Sequence, residues 1–283
     1  MWGACSAVHA PADASFSEAG AVDAGASGDG QGNDQADQGD DGTRDVRAGE
    51  ADAGDAGDAA SPPGWRSLFN GVDFSGWDRY LGKPSAGEAP LGEENDPRGV
   101  YSVVTSDGEP AIHITGEVWG ALISRDDFCH FDLRAQYKWG TAVWPPLNRL
   151  DSGIMYFSTG PLGAVNAGGT PLSDPIGSGG FMVSVEYQLA GGDIGGLYNL
   201  GPIGFLPGPR VVTDEQAGWN DVEIIVDGDG ARHFLNGQQV ASASQFIVSW
   251  PGQAPAELTC GKLQLQSESG EIYFRHVTVA PLP

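Results

Sequence analysis

The chain has 283 residues, with 38 Asp and Glu against 14 Lys and Arg, a formal net charge of −24 and a pI near 4.2. That balance excludes a nucleic-acid reader, whose affinity comes from Lys and Arg neutralising phosphates, and it makes anionic membrane surfaces poor partners. No apolar run approaches the roughly 20 residues that span a bilayer, and three cysteines allow at most one disulfide, with one cysteine left over.

Residues 1–64 carry 13 acids and two bases, net −11, which leaves 25 acids and 12 bases, net −13, for residues 65–283. From Ser6 to Gly64 the chain is built from Ala, Gly, Asp, Ser and Gln, with Phe16 as its sole aromatic, and Ala51–Ala60 (ADAGDAGDAA) is low in complexity. Low hydrophobicity with charge of one sign cannot bury enough apolar area to offset chain entropy, so residues 1–64 are expected to form a disordered acidic tether. At its head, Trp2-Gly3-Ala4-Cys5-Ser6 resembles the end of a bacterial lipoprotein signal, where small residues precede the cysteine that becomes the lipidated N-terminus. An export signal also carries an apolar stretch of roughly 7–15 residues, whereas Met1 stands four residues before Cys5, so the match is to the box alone. The resemblance implies lipidation at Cys5 and an exported protein, periplasmic or at the cell surface. A cytosolic protein with a flexible head is the other reading.

The remainder, 65–283, reads as strands. Ala111–Thr115 and Ala121–Arg125 come first. Phe131–Trp139 alternates without error, with Phe131, Leu133, Ala135, Tyr137 and Trp139 on one face and Asp132, Arg134, Gln136 and Lys138 on the other. Ser152–Ser158 follows. Phe181–Leu189 then places Phe181, Val183, Val185, Tyr187 and Leu189 inward and Ser184, Glu186 and Gln188 outward. Asp221–Asp227 and Ala231–Leu235 are separated by Asp227-Gly228-Asp229-Gly230 and followed by Asn236-Gly237, turn sequences that tolerate positive φ, so 221–241 predicts a three-strand meander. Lys262–Gln266 and Ile272–Val279 close the chain. Long loops are expected at 82–99, 140–150, 159–180 and 191–209. No segment has a capped helical periodicity, so the expected fold is all-β, a single β-sandwich.

Several motifs, taken in order, resemble the 3-keto-disaccharide hydrolase family. Gly64-Trp65-Arg66-Ser67-Leu68-Phe69-Asn70-Gly71 with Phe74-Ser75-Gly76-Trp77 is similar to its opening, Asp151-Ser152-Gly153-Ile154 to its Asn-Ser-Gly-Ile, and Glu186-Tyr187-Gln188 to its Glu-x-Gln strand. Gly195-Gly196-Leu197-Tyr198, Gly218-Trp219-Asn220, the His233–Gly237 hairpin and Leu265-Gln266-Ser267-Glu268 with Phe274-Arg275 complete the series. Each motif alone is weak; their order along nearly all of 64–283 carries the resemblance. It implies a concanavalin A-like jelly roll and a carbohydrate substrate: hydrolysis of glycosides whose sugar is oxidised at C3. Two positions depart from the family pattern. Asp151 stands where Asn is usual, and Ser267-Glu268 where many members read Asp-His.

Such a substrate sets requirements. A C3 ketone acidifies the C2 proton, so a base can form an enolate that expels the C1 substituent, after which water adds to the enone. The site then needs a base, a stabiliser for the enolate oxygen and donors that orient hydroxyls. Glu186 is the candidate base, with Glu268 as the carboxylate in place of the family's imidazole. Gln188, Gln266, Asp151, Asn236 and Trp219 are candidate substrate-binding residues, and Arg134 or Lys138 the expected enolate stabiliser. Asp151, Glu186 and Glu268 together could hold a hard divalent cation such as Ca²⁺. His233, sharing a face with Ala231 and Leu235, reads more as a packed histidine than a catalytic one. Cys129 and Cys260 either pair, if exported, or remain buried thiols. A non-catalytic carbohydrate-binding module using Trp139, Trp144 or Tyr156 as platforms is the alternative. A laminarinase-type glycosidase ranks last, because Glu186–Leu189 lacks the second carboxylate that such hydrolysis requires.

Overall fold

Apolar residues at alternate positions need a second apolar face to cover them, and here two antiparallel sheets supply that for each other. The computed structural model describes residues 64–165 and 179–283; Cys5, residues 6–63 of the expected tether and most of the expected 159–180 loop lie outside them. Among the described residues there are seventeen strands and no helix. In chain order they are β1 (Arg66–Ser67), β2 (Trp77–Leu81), β3 (Gly92–Glu93), β4 (Tyr101–Ser106), β5 (Glu109–Ile114) and β6 (Gly120–Ser124). Next come β7 (Phe131–Val143), β8 (Asp151–Thr159), β9 (Val183–Ala190), β10 (Leu197–Leu200) and β11 (Ile203–Pro207). The last are β12 (Asn220–Asp227), β13 (Gly230–Leu235), β14 (Gln238–Val248), β15 (Ala256–Glu257), β16 (Lys262–Ser267) and β17 (Gly270–Pro281).

One sheet runs β11-β14-β13-β12-β7-β17-β5-β4, with β1 on β17 and β15 on β14; the other runs β10-β9-β8-β16-β6-β2-β3. Hairpin neighbours alternate with pairings between strands distant in sequence, such as β12-β7, β7-β17, β8-β16 and β16-β6, the arrangement of a concanavalin A-like jelly-roll β-sandwich. Between the sheets lies one core in which Phe131, Leu133 and Tyr137 of β7 meet Ile154 and Tyr156 of β8 and Val185, Tyr187 and Leu189 of β9. The buried His233 belongs to that core: its Nε2 lies 3.1 Å from Tyr156 Oη and its Nδ1 3.1 Å from the Gly195 carbonyl. The carbonyl can only accept, so Nδ1 carries the proton, and burial lowers the imidazole pKa to about 4. His233 is a neutral structural group.

The nine expected strands recur with ends shifted by no more than two residues except at the end of β7, and β12–β13–β14 form the meander. Others were not expected. β1, β2, β4 and β15 fall where no strand is expected, and β3 lies inside the expected 82–99 loop. β10 and β11 lie inside the expected 191–209 loop, and as edge strands among Gly and Pro with largely exposed residues they lack the alternation of a half-buried strand. β7 also runs four residues past Trp139 into the expected 140–150 loop, its last turn held where the Thr141 and Ala142 amides donate to the Glu271 carboxylate at 2.9 and 3.0 Å.

Cys129 and Cys260 form a disulfide across 131 residues of sequence. It sits beside the reciprocal backbone hydrogen bonds of Phe128 and Gly261, 2.8 and 3.0 Å, that join the end of β6 to the start of β16. Closing a loop of that length removes unfolded-chain entropy worth about 5 kcal/mol at most. Replacing both cysteines by serine is therefore expected to lower the melting temperature by on the order of 10 °C. Scanning calorimetry of oxidised protein against the double variant checks this, and coincident melting would remove the disulfide from the account of stability.

Candidate functional site

Three adjacent strands of the seven-stranded sheet, β9, β8 and β16, present their second face away from the sandwich core. Since Ile154, Tyr187 and Leu265 point into the core, strand alternation puts Asp151, Gly153 and Met155, then Glu186 and Gln188, then Gln264 and Gln266 on the other side. Register brings them together: Gly153 pairs with Gln188, Met155 with Glu186 and Gln264 with Met155. Glu268 follows in the β16–β17 turn, which is tied to the 144–150 loop by the Trp144 amide donating to the Ser269 carbonyl at 2.8 Å. Three motifs spread over residues 151–268 thus converge on one surface.

That surface is not the solvated strand face the alternation suggests. Glu186 is only 4% exposed, Glu268 and Asp151 are buried, and Gln266 is fully buried. β8 is covered on both faces throughout. Gly153 makes room for this: a Cβ there would lie 2.4 Å from Glu186 Oε1 and 3.0 Å from Gln266 Oε1. The two side chains fold over the strand where no side chain stands.

The polar atoms are incompletely satisfied. Asp151 Oδ2 accepts from Arg149 at 2.7 and 2.8 Å, but Asp151 Oδ1, Glu186 Oε1, Gln188 Oε1 and both amide atoms of Gln266 are buried with no hydrogen-bond partner. Such atoms are rare in folded proteins, and each calls for an explanation, a catalytic role or a bound water or ion among them. Further down the same face, by contrast, the Gln264 amide donates at 2.8 Å to both Ser158 Oγ and Ser184 Oγ, so Gln264 is structural.

Burial and mutual repulsion push the carboxyls towards their neutral forms. Glu186 rises well above the ordinary carboxylate range, first because it is desolvated and then because Glu268 and Asp151 lie near. Glu268 is pushed up to about 8 by desolvation and by Asp151, with Arg149 and the Gln266 amide easing it back. Gln266 acts on both carboxyls by proximity, without reaching hydrogen-bond geometry with either. Asp151 is raised by burial, partly countered by Arg149. Carboxyls held near neutrality by these causes are suited to proton transfer at physiological pH.

The other expected site residues lie elsewhere. Arg134 and Lys138 are on β7, in the ten-stranded sheet. Arg134 binds Asp132 at 2.9 Å and Glu223 at 2.7 Å and covers the Trp65 ring, while Lys138 binds Asp107 at 2.7 Å. Trp219 donates to Asp107 at 2.8 Å and lies under Arg275 and Lys138. Asn236 occupies a left-handed hairpin position and bonds the Asp221 amide and the Asn220 side chain. None of the four joins the carboxyl cluster, because β7 pairs with β12 and β17 and never with β8, β9 or β16. The cation that does reach the cluster is Arg149, which sequence reasoning missed; its signal was a base two residues before the Asp151 motif. Tyr156, named as a sugar platform, is fully buried against His233. The expected Ca²⁺ set also fails: among the described residues no group of three or more His, Cys, Asp and Glu is gathered as metal ligands.

A carboxyl whose folded pKa lies above its unfolded value near 4.3 keeps its proton longer in the native state, so its contribution to stability is lost as pH rises through the folded pKa. For Glu268 the window runs from about pH 5 to about pH 8. Glu268→Gln is expected to melt above the wild type by an amount that grows across that window, measured by thermal denaturation at half-unit pH steps. A difference independent of pH would contradict the assigned protonation.

The sequence profile of the 3-keto-alpha-glucoside-1,2-lyase-like domain matches residues 64–280. Among solved structures, two candidate glycosyl hydrolases from Parabacteroides distasonis are similar, at 18% identity over 78% of this chain and 94% of theirs with a TM-score of 0.46, and at 19% over 77% and 99% with 0.45. A carbohydrate-binding module from Bacillus subtilis is similar at 10% identity over 64% of this chain and 91% of its own, with a TM-score of 0.38. No curated protein matches. The match along the length of the sandwich, through the motifs that converge on β8, β9 and β16, places the chain in the 3-keto-alpha-glucoside-1,2-lyase-like family.

Proposed function

We propose that this chain cleaves 3-keto-glycosides by elimination across C1 and C2 of the oxidised sugar, with water then adding to the product. The observation that carries the reading is the set of buried, unpartnered polar atoms on Asp151, Glu186, Gln188 and Gln266, gathered around carboxyls held near neutrality. A base takes the C2 proton, and the electron pair of that bond forms the enolate of the C3 ketone. The enolate collapses to a C1=C2 double bond, the C1–O bond breaks, and the leaving oxygen takes a proton. Water added across C1=C2 gives the free 3-keto sugar.

The charges suggest how the pair divides these roles. Arg149 eases ionisation of Glu268, whereas Glu186 is the more strongly raised. Glu268 is therefore the base and Glu186 the acid that protonates the leaving oxygen, the reverse of the order that put Glu186 as base. Gln188 and Gln266 hold the hydroxyls. Arg149, beside Asp151, supplies the positive charge for the enolate oxygen that Arg134 or Lys138 was expected to supply. The Cys129–Cys260 disulfide supports an exported location, since such bonds persist in oxidising compartments.

The test is turnover of 3-keto-glucosides with p-nitrophenol and methanol as leaving groups, beside their unoxidised parents. Glu268→Gln should reduce kcat/KM for both by about 10²–10⁴-fold. Glu186→Gln should cost methyl 3-keto-glucoside far more than the p-nitrophenyl compound, whose leaving group needs no acid. In the wild type, kcat/KM should rise with pH through about 8 as Glu268 ionises. Equal cleavage of the unoxidised parents would replace elimination by ordinary glycoside hydrolysis, and binding without turnover would favour the carbohydrate-binding module.

A further inference from the structure

We propose that Tyr198 forms the platform of a leaving-group subsite, taking a leaving group that offers an apolar ring face, whether a pyranose or an aryl ring. The inference rests on the elimination reading and names the part of the substrate that lies beyond the scissile bond.

β10 is the edge strand beside β9, and Tyr198 is the cross-strand partner of Glu186. The two side chains therefore emerge on the same face about 5 Å apart at the backbone. Across the sheet the order is Tyr198 on β10, Glu186 on β9, Asp151 and Gly153 on β8, and Gln266 on β16. The unpartnered polar atoms of Asp151, Gln188 and Gln266 lie on the β9, β8 and β16 side. A keto sugar, whose hydroxyls need those atoms, occupies that side. What is bonded to its C1 and receives the Glu186 proton then extends over β10.

Tyr198 is 46% exposed, one of the few large apolar side chains open to solvent among the described residues. Its hydroxyl is already committed, donating to Asp193 Oδ2. That hydrogen bond, with burial and the Asp193 charge, raises the phenol pKa to about 12, so the group offers a ring face rather than a proton. Arg210 fixes Asp193 from the other side at 2.7 Å and is itself anchored on the carbonyls of Ile194 and Val240, each at 3.0 Å. Gly196 leaves the space this requires: a Cβ there would stand 2.8 Å from Asp193 Oδ2 and 2.9 Å from Tyr198 Cε2. The same turn is hydrogen-bonded to both backbone groups of Gln188, at 2.8 and 2.9 Å, so the platform is built onto the strand that carries the acid. A rigid, half-exposed aromatic ring beside a small set of oriented polar groups is the usual composition of a ligand site.

The experiment compares methyl, benzyl and glucosyl 3-keto-glucosides, alcohol leaving groups of similar acidity that differ in the ring they offer. Tyr198→Ala should lower the benzyl-to-methyl and glucosyl-to-methyl ratios of kcat/KM by roughly threefold to tenfold, mainly through KM. Tyr198→Phe, which keeps the ring, should restore the ratios, and Gly196→Ala, which displaces Asp193 and the ring, should lower them. A fall in one ratio alone would identify that ring as the occupant. Ratios unchanged in Tyr198→Ala, or an equal loss for all three substrates, would overturn the proposal. If the wild type turns over none of the substrates, the elimination reading fails, and the same ratios taken from dissociation constants decide the platform separately.

Discussion

A Cβ at position 153 would lie 2.4 Å from Glu186 Oε1, and this one missing side chain lets the site exist. β8 runs between the strands that carry Glu186 and Gln266, and any residue with a side chain there would hold the two apart. With glycine, the carboxyl and the amide lie over the strand itself, out of bulk water. Their unusual electrostatics follow from that position. Desolvation is the first cause of the raised pKa of Glu186, Glu268 and Asp151 alike; repulsion comes second for Glu186, from Glu268 and Asp151, and for Glu268, from Asp151.

Carboxyls buried without full hydrogen bonding cost stability, several kcal/mol for an ion left uncompensated, and they reduce that cost by keeping a proton. The rest of the sandwich has to exceed it. A core filled from both sheets and a disulfide that closes 131 residues are the two features large enough to do so. Stability and function are therefore opposed at Glu268, whose replacement by an uncharged amide would relieve the fold while removing the proposed base.

Much of the fold could be read directly from residue patterns. Alternation in Phe131–Trp139 and Phe181–Leu189 identified β7 and β9 and their inward faces, and Asp-Gly and Asn-Gly identified the meander turns. Local pattern could not say which sheet a strand joins. Arg134 and Lys138 alternate on β7 as Glu186 and Gln188 do on β9, yet the strands belong to opposite sheets because pairing is decided by contacts far apart in sequence. Alternation likewise separates core from non-core faces but does not say whether the second face is wet. Glu186 reads as a surface residue for that reason and is buried. Alternation assigns no role to Arg149 or Tyr198, because one precedes its strand and the other, though within the Gly195–Tyr198 motif, stands on an edge strand without alternation.

The two outer faces differ in a way that separates structure from function. On the ten-stranded sheet several charges are closed in pairs, Arg134 with Asp132 and Glu223, Lys138 with Asp107, Arg275 with Glu109, and His113 with Glu271, although Asp132 Oδ1 is itself buried without a partner. Such closed pairs hold strands in register and add little beyond that. On the seven-stranded sheet the side chains of β8, β9 and β16 leave five buried polar atoms open within one cluster. Buried polar atoms left without partners cost stability, and the hydroxyls and carbonyl of the proposed substrate, an oxidised sugar, offer donors and acceptors that would complete them in one ligand. Arg134, by contrast, is engaged by both Asp132 and Glu223. In this sandwich the unsatisfied hydrogen-bonding capacity, more than the presence of ionisable residues, distinguishes the face of β8, β9 and β16 from that of the ten-stranded sheet, and the proposed chemistry rests on that difference.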